Sequence, residues 1–286
     1  MLLHILTEHV ETSANVTLNE TNCLVMDGQA LIMSIGKQSE MRTFADYANK
    51  FVNTVLKMGE TYQRVDVVFD RYYKESIKMG TRLKRKQFHR PVRREIANQT
   101  VPLPEDWSNF IALEENKADL ACLLSNHLIE LSPKHKPAII VSGGVSDKTT
   151  AKSSDPDLDV SFLMANHEEA DTRMILHCIH APVKTVVVFA QDTDVLLLVA
   201  HYDRIGCSNV YLKAGSSKNP QYIPVHDIQK AITDSQVDTL LAFHAITRCD
   251  SVSQFSGHGK KKAWQVFQQH HNDLSDLERA PSLMIW

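Results

Sequence analysis

The chain has 286 residues, 43% of them hydrophobic, and a formal net charge of -3 at pH 7. It is long enough to bury a large core, and no Pro/Gly/Ser-rich linker divides it, so we expect one domain over residues 1–286. No apolar run reaches membrane-spanning length, and the opening MLLHIL is too short for a secretory signal. Five scattered cysteines without C-x-x-C spacing argue against a disulfide framework or a zinc finger, which leaves an intracellular protein without a membrane partner.

The first half of the chain predicts two strands and a helix. Residues 1–21 are polar and unpatterned, and we expect a disordered extension. Residues 23–27 (CLVMD) and 65–70 (VDVVFD) each form an apolar run that ends in an aspartate, which predicts two buried strands. Between them, apolar residues at helical spacing predict a helix with Thr43 and Gly59 as its caps.

The next segment, residues 71–137, predicts a basic helical insertion. Between Arg71 and Glu95 ten Lys/Arg face two Glu, a charge of +8 that leaves -11 for the rest of the chain. Such a stripe is typical of a surface that binds a nucleic-acid backbone, although a solvated charged helix explains it equally well. Four of its cations recur at helical spacing and predict one basic face: Lys74, Lys78, Arg82 and Arg85.

The second half alternates strands and helices. We expect a strand at 138–141, a loop over 143–159, a helix from His167, and a central strand at 185–190 (TVVVFA). Further helices and a strand follow up to Thr247. This alternation predicts a doubly wound, mostly parallel α/β sheet, in which ligands bind beyond the carboxyl ends of the strands.

Acidic residues follow several of these strands and helix starts. The candidate metal ligands are Asp27, Asp70, Glu169, Asp171, Asp192, Asp194 and Asp250. Carboxylates that converge repel one another unless cations lie between them, so an acid cluster predicts divalent metal. Each motif alone is weak, because an acid after a strand is more often a turn residue.

The ordered set resembles the PIN-like nucleases of the flap endonuclease type, in the 5' nuclease superfamily. It comprises CLVMDG, VVFD, EAD, DTD and RCD, followed by SGHGKKKAW, and it runs from Cys23 to His271. The resemblance implies a three-layer α/β/α fold and two Mg²⁺ or Mn²⁺ ions held by the seven acids, which are also the catalytic residues. Glu168 is a rival for Glu169, since residues at i and i+3 share a helical face and residues at i and i+2 do not.

The resemblance also implies a nucleic-acid grip at the C-terminal side. SGHGKKKAW is similar to the hairpin of a helix-two-turn-helix element, here over 250–271, which often binds a monovalent cation such as K⁺. The residues that would contact phosphate are Gly257, Gly259, Lys260 and Lys261, together with Lys74, Lys78, Arg82 and Arg85. A glycine turn before a surface helix is the alternative interpretation.

The sequence therefore predicts a metal-dependent endonuclease for structured nucleic acid, flap or junction DNA before RNA, in the nucleus. Arg248 and His258 depart from the family pattern, and they motivate a second hypothesis, a catalytically inactive nucleic-acid- or protein-binding module derived from a mobile element. A small-molecule phosphohydrolase is a third. The histidines around Cys178 do not favour zinc, and the chain lacks the G-x-S-x-G elbow of a serine hydrolase.

Overall fold

The structure is a computed structural model that describes ten stretches of the chain. They are residues 2–8, 10–18, 21–71, 92–133, 136–147, 149–167, 169–190, 195–216, 219–247 and 259–278. The chain divides into two compact units, residues 20–180 and residues 1–19 with 181–286. The boundary at His180 falls inside the alternating strand and helix pattern, and the prediction of one domain stays a prediction.

The unit of residues 20–180 is built on four strands. They are β1 (Asn22–Asp27), β2 (Arg64–Val68), β3 (Ala138–Ser142) and β4 (Ala151–Ser153), in the order β4-β3-β2-β1. The first three are parallel and fully buried, and β4 pairs antiparallel with β3. Continuous β-branched runs suit such strands because both faces of a parallel sheet are covered. The predicted loop 143–159 thus contains a short edge strand, whose polar AKS sequence gave no strand pattern.

Helices cover both faces of this sheet. They are α2 (Gly28–Ile35), α3 (Phe44–Gly59), α4 (Trp107–Ile111), α5 (Glu114–Leu131) and α6 (Ala170–Ile179). On one face the ring of Phe51 in α3 stacks on Phe69, with 6.2 Å between centroids. On the other face His177 in α6 contacts Asp66 of β2. Side chains alternate along a strand, so this unit has the three layers that were predicted.

Of the two predicted caps of α3, the N-cap is confirmed and the C-cap is wrong. Thr43 is the N-cap, and its side chain and that of Asp46 form a reciprocal capping box. The helix continues through Gly59 and Glu60 occupies the C-cap, so Gly59 is not the cap. A Cβ at Gly59 would lie 2.5 Å from Val65, which shows that the glycine serves close helix–strand packing.

The unit of residues 1–19 and 181–286 has three strands. They are β5 (Thr185–Phe189), β6 (Asn209–Ser216) and β7 (Asn219–Pro224), of which β5 and β6 are parallel and β7 is antiparallel to β6. The sequence predicted β5 and the start of β6 but not β7. Prolines at the second and last positions of NPQYIP argue against a central strand, and they are tolerated because β7 is an edge strand. The described strands therefore form mixed, mostly parallel sheet structure, and the α/β prediction is confirmed.

Short helices complete this unit. They are α1 (Leu2–Leu6), α7 (Val195–Ala200), α8 (Tyr202–Ile205), α9 (Val225–Ala231), α10 (Asp234–Asp238), α11 (Leu240–Ile246), α12 (Lys260–His270) and α13 (Ser275–Glu278). Of the predicted helix-two-turn-helix element, only its part from Gly259 onward belongs to the described residues. None of the helices in the described ranges combines the length and the apolar character that a membrane span needs.

The N-terminal residues differ from the expected disordered extension. Helix α1 contacts α12, and Leu6 is buried. Ser13 and Tyr222 exchange backbone hydrogen bonds, which attach the segment to β7. Polar composition suggested a free end, whereas the tertiary contacts depend on a few apolar residues and on backbone groups that composition does not reveal.

Candidate metal centre

Asp27 lies at the junction of β1 and α2. Its Oδ1 accepts hydrogen bonds from the backbone N–H groups of Gln29 at 2.7 Å and Ala30 at 3.1 Å. Asp27 is thus the N-cap of α2, a position that favours a carboxylate because free N–H groups and the positive end of the helix dipole face it. Its side chain is almost fully enclosed, with 8% of the residue exposed.

Asp70 links the end of β2 to the start of α6. Its Oδ1 accepts a hydrogen bond from the backbone N–H of Ala170 at 2.8 Å, across a hundred residues of sequence. Ala170 is the first residue of α6, Glu169 is its N-cap and Asp171 stands in its first turn. One hydrogen bond therefore brings Asp70 to the helix start that carries two further predicted ligands.

Two glycines bring the ends of β1, β2 and β3 together around Phe69. A Cβ at Gly28, directly after Asp27, would lie 2.4 Å from the Phe69 ring. A Cβ at Gly143, directly after β3, would lie 1.9 Å from the Phe69 carbonyl oxygen, and Gly143 has a φ of +81°. Only glycine allows these approaches. Asp70, next to Phe69, is thereby held close to Asp27.

The electrostatics of Asp27 reflect this proximity. Burial, and then the negative charge of Asp70, raise the pKa of Asp27 to about 6, although the hydrogen bonds from Ala30 and Gln29 act in the opposite direction. A carboxyl group whose charge is opposed by burial and by a second carboxylate is stabilised by a cation. The chemistry of this pair therefore fits a divalent metal, which prefers carboxylate oxygens.

Two buried arginines lie near the same helix start. Arg71 Nη1 and Arg173 Nη2 both donate to the carbonyl oxygen of Ala165, at 3.3 and 2.6 Å. Burial, and then the charge of Arg71, lower the pKa of Arg173 to about 10. In the sequence Arg71 is recognisable only as part of the basic stripe, and Arg173 gives no signal because it is a lone arginine in an amphipathic helix.

A cavity of about 200 Å³ opens beside Asp70. Its walls are Ala118, Asp119 and Cys122 of α5 and the Gly143–Ser146 turn after β3. Asp119 is also bonded to Arg93, with 2.6 Å between Oδ2 and Nη2. The cavity gives the Asp70 carboxylate access to a small solute or to solvent from this side.

The structure brings together only part of the predicted ligand set. Asp27 and Asp70 are close enough for the charge of Asp70 to raise the pKa of Asp27. The Asp70–Ala170 hydrogen bond adds the helix start with Glu169 and Asp171. Three predicted ligands lie outside the described residues: Asp192, Asp194 and Asp250. Across the described stretches, no group of three or more His, Cys, Asp or Glu side chains is arranged to hold a metal ion. Glu169 is the N-cap of α6 and has an extended backbone, so the rule that residues i and i+2 of a helix point to different sides does not apply to Glu169 and Asp171. Its rival Glu168 lies outside the described residues.

Most of the predicted nucleic-acid contacts also lie outside the described residues: Lys74, Lys78, Arg82, Arg85 and Gly257. Gly259 is the N-cap of α12 with a φ of -79°, and nothing lies within 4 Å of the place where its Cβ would be. Lys261 is exposed and Lys260 is half-buried, at the start of the same helix. The helix start is therefore open on the side of Gly259.

A buried polar chain in the same unit was not predicted. Ser142 Oγ lies 2.9 Å from His177 Nε2, and His177 Nδ1 lies 2.6 Å from Asp66 Oδ2. Arg64 adds two hydrogen bonds to Asp66, at 2.8 and 2.6 Å. The order Ser–His–Asp resembles a hydrolase triad, but Ser142, His177 and Asp66 are all fully buried, so no substrate reaches Ser142 Oγ. Both ring nitrogens of His177 are engaged, and neither is open to zinc.

Comparison with known proteins gives similarity in structure but not in sequence. No protein-family model matches the chain. No curated protein is significantly similar to it. The solved structures that resemble it include two with a TM-score of 0.49. They are a flap endonuclease of bacteriophage T5 in complex with DNA and metal ions, at 16% identity, and the T5 5'-exonuclease with bound zinc, at 14% identity. Each alignment covers 91% of this chain and 79% of the phage protein.

Proposed function

We propose that the protein is a divalent-metal-dependent endonuclease that hydrolyses phosphodiester bonds of structured nucleic acid, with flap or junction DNA as its substrate. The observation that carries the proposal is the hydrogen bond from Ala170 N–H to Asp70 Oδ1. It joins the end of one parallel strand to the start of the helix with Glu169 and Asp171. The close approach of Gly28 to Phe69 adds Asp27 to this edge of the sheet.

The acids of this chain would hold two ions, Mg²⁺ or Mn²⁺. Asp27, Asp70, Glu169 and Asp171 are the described part of the set, and Asp192, Asp194 and Asp250 complete it in this proposal. Such a pair of ions supplies hydroxide at neutral pH and charge stabilisation for the leaving oxygen. Metal binding would lower the pKa of Asp27, since its raised value reflects burial and the charge of Asp70.

Cationic and backbone groups would position the nucleic acid. In this proposal Lys74, Lys78, Arg82 and Arg85 contact phosphates of one strand. Gly257, Gly259, Lys260 and Lys261 contact the duplex at the start of α12, where a K⁺ ion would bind to the hairpin. Contacts of this kind fix the register of a duplex without reading its sequence, so we expect selection by shape.

The test is a cleavage assay with labelled flap, hairpin, single-stranded and duplex DNA, in Mg²⁺, in Mn²⁺ and in EDTA. We expect cutting of the flap in either metal and none in EDTA. Asp27→Asn and Asp70→Asn should each lower the rate by at least a hundredfold. Asp157→Asn, an exposed acid in the loop before α6, is the matched control and should cut at the wild-type rate. Equal rates for all three variants would contradict the assignment.

A second candidate function is an inactive module that binds nucleic acid or a protein. The buried pair Arg71 and Arg173 near the start of α6 motivates it, because cations fixed there would offset the charge of nearby acids without metal. Arg248 and His258, both outside the described residues, motivate it from the sequence. Under this hypothesis flap DNA binds equally well in EDTA and in Mg²⁺ and is never cut, which separates it from the nuclease in the same assay.

A further inference from the structure

Two neighbouring residues after β2 bind the two ends of the segment that leads into α6. Asp70 Oδ1 accepts the hydrogen bond from the backbone N–H of Ala170 at 2.8 Å, and Arg71 Nη1 donates to the carbonyl oxygen of Ala165 at 3.3 Å. Glu169, the N-cap of α6, lies between these two attachment points in the chain. The end of β2 therefore holds both the first residue of α6 and the chain that precedes it.

A third attachment comes from the helix itself. Arg173 stands close to the start of α6, and helical side chains point back toward the N-terminus of their helix. Its Nη2 donates to the same carbonyl oxygen of Ala165 at 2.6 Å. The guanidinium also borders the turn after β3, where a Cβ at Gly143 would lie 3.4 Å from Arg173 Nη1. Arg173 thus holds the approach to its own helix against the carboxyl end of the sheet.

Ala165 is the residue on which these contacts converge. Its carbonyl oxygen accepts from both arginines, and its N–H donates to the carbonyl oxygen of Thr149 at 3.0 Å. Both arginines are buried, and hydrogen bonds are stronger away from water. Together with the Asp70–Ala170 bond, the two arginine bonds form a clasp around the start of α6, and this name is kept for the three hydrogen bonds.

The clasp orders the backbone that carries two of the proposed metal ligands, Glu169 and Asp171. It does so through backbone groups of the segment and uses neither of their carboxylates. Glu169 has an extended backbone ahead of the helix, so its direction follows from the path of the chain on both sides. Groups that orient a metal ligand affect the affinity for the metal nearly as much as the ligands do.

We propose that Arg71 and Arg173 are positioning residues, which set the placement of Glu169 and Asp171 through the clasp and contact neither metal nor substrate. The consequence for metal binding rests on the proposed function, whereas the clasp itself does not. Loss of the Arg71 side chain releases the chain before α6, and the Asp70–Ala170 bond then opens more often. Only 4% of Arg71 is exposed, so its side chain acts inside the protein although the sequence places it in the basic stripe.

Exchange of the Ala170 amide hydrogen measures the clasp without any cleavage. Mass spectrometry with electron-transfer fragmentation follows this single amide in the full chain, in EDTA. In Arg71→Gln we expect Ala170 to exchange faster by about tenfold, the factor expected when a hydrogen bond from a charged donor is lost. Ala48, on the buried face of α3, is the internal reference and should keep its wild-type rate. Lys50→Gln, which removes one exposed positive charge from the same unit, is the matched control and should change neither rate.

The metal requirement measures the consequence for the two acids. In the flap assay, Arg71→Gln should need about tenfold more Mg²⁺ for half-maximal cutting, with the KM for flap DNA at saturating Mg²⁺ unchanged. Mere loss of a nearby positive charge would act in the opposite direction, because it favours the binding of a cation. A higher Mg²⁺ requirement therefore identifies positioning, whereas a raised KM at an unchanged Mg²⁺ requirement would show that Arg71 contacts DNA.

The proposal is overturned by an Ala170 exchange rate that is the same in Arg71→Gln and in the wild type, or by a Mg²⁺ requirement that stays equal or falls. A wild type that cuts no substrate would end the proposed function, and the exchange rates would still decide on the clasp. Should Ala48 also exchange faster in Arg71→Gln, the unit as a whole has lost stability. Arg71→Lys, which keeps the charge on a shorter side chain, then repeats the test, and Ala170 alone must exchange faster in it.

Discussion

Two buried aspartates of the same sheet have opposite electrostatic surroundings. Burial raises the pKa of Asp66, but the charge of Arg64 and the hydrogen bonds from His177 and Arg64 outweigh it, and the pKa of Asp66 is lowered overall. The pKa of Asp27 is raised to about 6, because burial and Asp70 act together there. At the scale of single residues, Arg64 and His177 stabilise the negative charge of Asp66. The negative charge of Asp27 is opposed by burial and by Asp70, and a cation would stabilise it.

We expect Asp27→Asn to stabilise the metal-free protein at pH 8. A group whose folded pKa is raised contributes stability that is present below its unfolded pKa and lost as pH rises through the folded value, here between 3.8 and about 6. The shift corresponds to about 3 kcal/mol at most, so we predict a gain of about 1 to 3 kcal/mol in urea unfolding with EDTA. Asparagine keeps the N-cap of α2.

Addition of Mg²⁺ should reverse the order of stability of the wild type and Asp27→Asn. Wild type should gain stability from Mg²⁺ and Asp27→Asn should gain little, while Asp157→Asn follows the wild type in both buffers. A lower stability of Asp27→Asn in EDTA would contradict the argument from charge repulsion.

The buried chain Ser142–His177–Asp66 predicts loss of stability in acid. Burial lowers the pKa of His177, and the charges of Arg64 and Arg173 act in the same direction against the effect of Asp66. A lowered folded pKa means that the stability is present above the unfolded pKa of about 6.5 and lost as pH falls below it. Since the pKa of Asp66 is also lowered, its contribution is lost at still lower pH.

His177→Gln should therefore flatten the dependence of stability on pH between 6.5 and 4.5. At pH 7.5 it should lower the free energy of unfolding by about 1 to 3 kcal/mol, since it leaves buried partners imperfectly paired. Urea unfolding at a series of pH values measures both effects. His270→Gln, at an exposed histidine of α12, should leave the pH profile unchanged.

At the scale of elements, backbone contact between β1, β2 and β3 brings the acids together. Asp27 pairs with Val68, and Val68 pairs with Ser142, so the ends of the three parallel strands lie at one level of the sheet. Parallel strands deliver their carboxyl ends to the same edge, which is why strands that end in aspartate were informative in the sequence. The contact of Gly28 with Phe69 sets how closely these ends approach.

Gly28→Ala should test this approach. The added Cβ would meet the Phe69 ring at 2.4 Å, and relief requires a shift of the ring or of α2. We expect a loss of about 1 to 3 kcal/mol in urea unfolding, typical of overpacking. Phe69→Leu in the same chain should recover part of it, because two residues in contact are not additive. Gly259→Ser, where the space is open, should not destabilise α12.

At the scale of the whole molecule, the uneven charge distribution is the main feature. The stripe of +8 between Arg71 and Glu95 stands against -11 elsewhere in the chain. Such an asymmetry attracts polyanions to one region and repels them from the rest, and its effect weakens with salt. If the stripe binds phosphates, as proposed, it would favour polynucleotides over small phosphate esters.

Lys74→Gln with Lys78→Gln should weaken DNA binding at low salt. If both lysines contact phosphates, the slope of log K against log salt should fall by about 1.8 in magnitude for duplex DNA. Lys50→Gln with Lys57→Gln, at two exposed lysines of α3, is the matched control and should leave the slope unchanged. Fluorescence anisotropy of labelled duplex DNA over a salt series measures the slope for each variant. An unchanged slope in both double variants would assign the basic stripe to solvation alone.

The sequence by itself determined the alternation of elements, because hydrophobic periodicity follows from which faces are buried. It predicted β1, β2, β3, β5, helix α3 and a helix near α6, and it singled out Asp27 and Asp70 as acids that follow strands. It did not predict α2 or α4. It did not predict β4, which is a three-residue strand of polar sequence, or β7, whose prolines argue against a central strand.

Tertiary structure alone decided how side chains meet across long sequence separations. The Asp70–Ala170 bond, the chain Ser142–His177–Asp66 and the Arg71–Ala165 bond join residues that no local pattern connects. Local propensity acts over a few residues, whereas the pKa of Asp27 depends on which distant charge the fold brings beside it. The physical reason is that burial and Coulomb interactions depend on distance in space, and a sequence gives only distance along the chain.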